Sequence, residues 1–225
     1  MLVYENIISE GLINHNQLVL NNDEESEILT YYLHLNKGLE LLEGEYVNLE
    51  DNIINKSEDI LINSVGHSTD DIEYIRSVFS NLDPLIDLDF EEMDNYNGST
   101  IDIYSISDSS SFTFGALGQT ITRKSNLGAW WEILWKDTDG KKSTNSSDQN
   151  TIIHEIGHSL GLAHPNDDPF DESFNSFDTV MTYNNNGIDT WNNQFSVVDI
   201  LALQKIWGRE NDNGVMNFIG KYSDY

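Results

Sequence analysis

The stretch His154-Glu155-Ile156-Gly157-His158-Ser159-Leu160-Gly161-Leu162-Ala163-His164 decides how the rest of the chain is read. On an α-helix four residues advance about 6 Å and turn about 400°, so His154 and His158 leave from one face and can hold one ion. Glu155 is rotated about 100° from His154, beside such an ion and not on it, which is where a base must stand to take a proton from water. Gly161 can adopt the positive φ that ends a helix and turns the chain, bringing His164 back as a third nitrogen from another direction. Three neutral imidazoles with one open position describe a catalytic zinc site, whereas a structural site fills the fourth position with protein. Five fixed positions separate this pattern from ordinary helix-face histidines, because its chance occurrence in 225 residues is on the order of one in ten thousand. The same residues spell G-x-S-x-G at 157–161, but inside a predicted helix and not at the strand-to-helix turn that a serine nucleophile needs.

The composition agrees with a folded, metal-binding protein and excludes several other classes. A length of 225 residues fits one domain plus an extension, or two small domains. There are 39 acidic against 11 basic residues, a net charge of −28, and a field of that sign repels nucleic acid and anionic lipid surfaces. Residues 1–64 carry 13 acids and two bases, so the acidity is spread along the chain and marks no tail. At 38% hydrophobic and 11% aromatic, the chain has enough apolar side chains to offset the entropy of ordering. The absence of cysteine excludes thiol nucleophiles, disulfides and thiolate metal sites, and leaves histidine, carboxylate and carbonyl oxygen as ligands. The N-terminal MLVYENIISEGLINHNQLVL has no basic residue ahead of its apolar ones, so it lacks the layout of a secretory signal. No run approaches the roughly 18 apolar residues of a membrane span.

Working outward from the motif, Ser147 is placed to cap a helix through Ile152, Ile153, Ile156 and Leu160. Upstream, Ser68 and Thr69 followed by Asp70 and Asp71 open a helix of about 12 residues with Ile72, Ile75, Val78 and Phe79 on one stripe, which Pro84 stops. Leu88 to Phe90 and Ile101 to Ile106 alternate as strands around an Asn97-Gly98 turn, and further strands are predicted at Ser111 to Phe114 and Ala129 to Lys136. Alternation buries Trp131 and Trp135 and turns Trp130 outward. Downstream, Ser196 to Asp199 is a capping box that opens a helix through Trp207, closed by Gly208. Before Val65 the apolar runs Ile28 to Leu35 and Leu39 to Leu42 keep no sustained period. The expected division is therefore an N-terminal extension at 1–64, an α+β domain with a mixed sheet at 65–208, and a C-terminal tail at 209–225. His15, His34 and His67 read as solvated. The acidic loop of Asp167, Asp168, Asp171 and Glu172 is a candidate for calcium, or simply solvated.

With Thr179-Val180-Met181-Thr182-Tyr183 downstream of the motif, the chain resembles the metzincin zinc endopeptidases, whose motif is followed by a Met-turn. It is most similar to the serralysin-like, matrixin-related catalytic domains in having Pro165 after the third histidine, Tyr183 two residues after Met181, and the closing helix 198–208. The resemblance covers about 65–208. It implies a twisted mixed sheet of about five strands with an active-site helix, a preceding helix and a C-terminal helix. It also implies one catalytic Zn2+ on His154, His158 and His164, Glu155 as general base then acid, and Met181 as an apolar floor. Tyr183 would be a further ligand that leaves the metal and donates to the oxyanion. On their own residues, Met181 reads as plain core and Tyr183 as a buried, hydrogen-bonded tyrosine. The implied protein is a monomer acting on protein or peptide substrates, with no nucleic-acid partner and no membrane insertion, exported to the extracellular space of a bacterium without a signal peptide. The substrate would pair with a strand above the cleft, placed by chain order at Ser111 to Leu117. Residues 1–64 would be an extension or a propeptide. The calcium-binding GGxGxDxxx repeats usual in serralysins do not follow in this sequence. A non-catalytic zinc-containing domain that only binds is the alternative.

Overall fold

The alternating segments around Ile101 and Trp131 do form strands, and they lie side by side in the middle of a sheet. The computed structural model describes residues 3–20, 27–44, 58–113, 115–125, 128–140, 145–185, 187 and 191–210, and the backbone of 46–48 and 54–56. In chain order the elements are α1 (Glu10–Val19), β1 (Ile28–His34), β2 (Gly38–Leu42), β3 (Tyr46–Asn48), β4 (Ile54–Lys56), β5 (Ile60–Ser64), α2 (Thr69–Leu82), β6 (Asp89–Met93), β7 (Ile101–Ser109), β8 (Gly118–Ser125), β9 (Gly128–Lys136), α3 (Ser146–Ser159) and α4 (Val197–Trp207).

The sheet has seven strands and mixed direction, and the fold is α+β. Strands β6, β1, β7 and β9 run parallel in that order, and β8 closes the β9 edge in the antiparallel sense. On its other side β7 serves two neighbours: Ile101 to Tyr104 pair with β1, while Ile106 to Ser109 pair with β5, which carries β2. Strands β3 and β4 form a separate antiparallel pair. Period-two alternation then sorts the side chains. Ile101, Ile103, Trp131, Ile133 and Trp135 face the helices and pack with Ile75 and Phe79 of α2, Ile152 and Ile156 of α3, and Leu203 and Trp207 of α4. Tyr104, Ile106 and Leu134 face the other way, against Leu42, Ile60 and Ile62.

The caps explain where the helices begin. Ser68 and Asp71 form a reciprocal box at α2, as do Ser196 and Asp199 at α4. Helix α3 starts earlier than its sequence suggests, because the side chain of Asn145, not Ser147, accepts from Ser147 N and Asp148 N. Gly161 ends that helix region with φ +103°, as expected.

Three expectations are corrected. The boundary at 64/65 runs through one sheet: β1 lies between β6 and β7, and β5 and β2 extend it, so residues before 65 are part of the fold. Their period was hidden because β1 buries Leu29, Tyr31 and Leu33 on one face while Thr30, Tyr32 and His34 line the other. The strand expected at Ser111 to Phe114 is a turn in its described part, with Phe112 N donating to Ser109 O at 3.3 Å, and the strand comes later as β8. The histidines read as solvated are held. His15 Nε2 lies 2.9 Å from Trp130 O, His34 Nε2 2.8 Å from Glu40 Oε1, and His67 Nε2 3.0 Å from Ile103 O. Beyond Glu210 the tail lies outside the described residues. Among the described residues no helix is long and apolar enough to cross a membrane.

One buried acid gives a stability prediction. Asp102 is 4% exposed, accepts from Ser99 Oγ, and stands opposite Glu132 of β9. Burial, reinforced by Glu132, pushes its carboxyl up to about 7. Arg123 of β8 donates Nε to Glu132 at 2.7 Å, and the phenols of Tyr32 of β1 and Tyr104 are raised in part by the Asp102 charge. The folded carboxyl keeps its proton while the unfolded one gives it up near pH 4, so stability falls between about pH 4 and 7 and is level above. Asp102→Asn should raise the unfolding midpoint at pH 8, by at most about 4 kcal/mol in free energy, and change little at pH 4. Thermal melts at both pH values check this, and a destabilised variant at pH 8 would refute it.

Candidate metal centre

Helix α3 carries His154 and His158 inward, and the turn at Gly161 returns the chain so that His164 faces them. The ring centroids lie 4.6 Å (154 to 158), 5.2 Å (154 to 164) and 4.9 Å (158 to 164) apart. One ligand-capable atom from each residue falls within 4.8 Å of the others. His154 Nδ1 meets Val180 O at 2.8 Å and His158 Nδ1 meets Leu162 O at 2.8 Å. A carbonyl only accepts, so both Nδ1 atoms carry hydrogen and both Nε2 atoms present a lone pair. His154 Nε2 and His164 Nε2 are 3.2 Å apart. Two nitrogens each about 2.05 Å from a tetrahedral zinc would be about 3.3 Å apart, so the spacing of His154 and His164 suits that ion.

The electrostatics point the same way. Burial, then the neighbouring histidine, lowers His158 to about 4 and His154 well below the usual imidazole range; burial also lowers His164, which Asp167 and Asp168 oppose. The three rings are thus neutral near pH 7, the form that binds a metal. Glu155 is 4% exposed, and burial pushes its carboxyl up to about 8 against the pull of Thr120. A divalent cation beside it would act in the opposite direction. Thr120 Oγ1 of β8 sits 2.7 Å from Glu155 Oε2 and donates to it. That close approach needs glycine at 118, where a Cβ would come within 2.7 Å of Glu155 Cγ.

The segment after His164 forms a shelf beneath α3. Met181 is fully buried, and its sulfur occupies space that a Cβ at Gly157 would invade at 2.7 Å. Asp199 at the start of α4 accepts from Thr179 Oγ1 at 2.5 Å and Val180 N at 3.1 Å, so the α4 cap also fixes the carbonyl that holds His154. Tyr183 is 44% exposed, with its ring 5.3 Å from that of His154 and 5.1 Å from that of His164. Burial, then Glu155, raises its phenol. The residues singled out from the sequence, His154, Glu155, His158, His164, Met181 and Tyr183, are therefore all brought together.

Beside them opens a cavity of ≈250 Å3, lined by Ala116, Leu117, Gly118, Thr151, Tyr183 and Trp191 among others, with His154 and Glu155 at one side. The strand bordering it is β8, preceded by Ala116 and Leu117, a correction to the placement at Ser111 to Leu117. Thr120, Gly118, Asn150 and Trp191 were not singled out from the sequence; only the alternation of Thr120, Ile121 and Thr122 hinted at a strand there. Two acids of the 167–172 loop serve local turns, Asp168 accepting from Phe170 N and Asp171 from Asn166 and Ser173. The carboxylates that do converge are Asp137, Asp139 and Asp148, the last accepting from Thr138 and Asn145. Compared with known proteins, the chain matches no protein-family model and no curated protein.

Proposed function

We propose that this chain is a zinc-dependent endopeptidase, similar to the metzincins of the serralysin-like group. The observation that carries the proposal is the convergence of three neutral imidazoles, two of them oriented through Nδ1, with His154 and the Glu155 carboxyl both lining the adjoining cavity. The α+β fold is in keeping with it, with a mixed sheet, a helix ahead of the site, the site helix, a closing helix and an antiparallel edge strand along the cavity.

His154, His158 and His164 would hold the metal, which supplies Lewis acidity toward a peptide carbonyl and a water acidified to near neutrality. Glu155 takes the proton of the attacking water and returns it to the leaving amine nitrogen. The Tyr183 hydroxyl donates to the oxyanion as the carbonyl carbon becomes tetrahedral; removing such a donor typically costs about 2.7–4 kcal/mol. Thr120 and Gly118 keep the Glu155 carboxyl in place. An extended substrate would add to the chain running from Ala116 into β8 by main-chain hydrogen bonds. Export without a signal peptide belongs to the same proposal through the resemblance alone.

Hydrolysis of a quenched peptide mixture tests it. Cleavage should be abolished by o-phenanthroline and restored by added zinc. Zinc retained with no cleavage of any peptide would favour the binding domain instead.

A further inference from the structure

Segment 191–194 walls the cavity through Trp191, yet among the described residues no backbone group in it pairs with another backbone group. Side chains of two helices set its place. Asn150 Nδ2 of α3 donates to Asn192 O at 2.7 Å, and Asn193 Nδ2 donates to Gln149 Oε1 at 2.6 Å. From α2, the Tyr74 hydroxyl lies 2.8 Å from Asn193 O and 3.0 Å from Gln149 O. A phenol has a single hydrogen, here shared between a carbonyl of the wall and a carbonyl of the helix that carries His154 and Glu155. Burial raises the Tyr74 phenol far above its ordinary value, so it stays a donor.

We propose that Tyr74 is a positioning residue for the site: it clasps the Trp191 wall to α3 and so fixes the width of the cavity that receives the substrate side chain. The specificity role rests on the endopeptidase reading, whereas the clasp itself does not. Among the described residues the cavity is walled by Ala116, Leu117, Tyr183 and Trp191, so a loosened wall admits a wider range of side-chain sizes.

Tyr74→Phe keeps the ring and removes only the hydroxyl. Zinc content and the unfolding midpoint should stay close to wild type, while amide exchange across 191–195 quickens about 5–10-fold. For the preferred peptide KM should rise about 5–10-fold with kcat held within about twofold, and the product pattern should broaden. Gln149→Ala, which removes the neighbouring hydrogen bond, is expected to act in the same direction and decides the matter if Tyr74→Phe does not fold. Unchanged exchange in the folded variants overturns the clasp, whether or not the chain cleaves peptides. Faster exchange with an unchanged KM and product pattern overturns the specificity role. A wild-type chain that binds zinc and cleaves nothing overturns the endopeptidase reading and leaves the exchange result to judge Tyr74.

Discussion

Glu155→Gln should lower peptide cleavage by about 10²–10⁴-fold while leaving zinc content and fold intact. The side chain stands one residue from His154 but is not among the converging nitrogens, so it can be altered without removing a ligand. Glutamine keeps the volume that fits against Gly118 and an oxygen that still accepts from Thr120. It lacks the basic oxygen that takes a proton, and the proton that would go to the leaving amine. His158→Ala should behave differently and lose zinc and cleavage together, because it removes one of three donors and an Nδ1 hydrogen bond to Leu162 O. Metal analysis, thermal melts and single-peptide kinetics on both variants separate the roles. Glu155→Gln activity within a few-fold of wild type would remove Glu155 from the chemistry.

The site was far more legible in the sequence than the fold around it. His154, Glu155, His158, Gly161 and His164 act through helical spacing and one backbone conformation, both local, so five letters predict their geometry. The capping boxes at Ser68 and Ser196 are local for the same reason. What the sequence hid depends on partners distant along the chain. Strand β1 carries Thr30, Tyr32 and His34 on its second face, where His34 meets Tyr104 and Glu40, and a polar-looking face disguises an inner strand. Strand β8 is polar because it is an edge, and it is tied to the site by Thr120, 35 residues from Glu155. Tyr74 sits on an amphipathic helix where a tyrosine is unremarked until its hydroxyl is seen against Asn193, 119 residues away.

The fragment 65–208, the unit that the sequence alone suggests, should not fold by itself. Among the described residues, those before 65 contribute nine buried apolar side chains: Ile7, Ile13, Val19, Leu29, Tyr31, Leu33, Leu42, Ile60 and Ile62. Deleting them uncovers the apolar side chains they pack against in both cores, at about 25 cal/mol for each Å2 re-exposed, against a margin of only about 5–15 kcal/mol. The damage is also specific. Without β1, the strands β6 and β7 lose the neighbour that joins them, and their backbone groups on that side go unpaired. The N-terminal residues further support the turn that delivers His164: Ala163 N donates to Ile7 O at 2.8 Å and Ser9 N donates to Gly161 O at 3.1 Å. Asn16 accepts from Trp131 Nε1 at 2.8 Å, tying α1 to β9 beneath that turn. A propeptide that left with all of 1–64 would take a sheet strand and the brace of the third histidine with it. The expected result is a fragment with no cooperative melting transition and no tight zinc binding, read by calorimetry and by competition with a chelator. A cooperative transition near the full-length midpoint, with zinc retained, would show that residues 1–64 can be dispensed with and that the division at 64/65 is a true domain boundary.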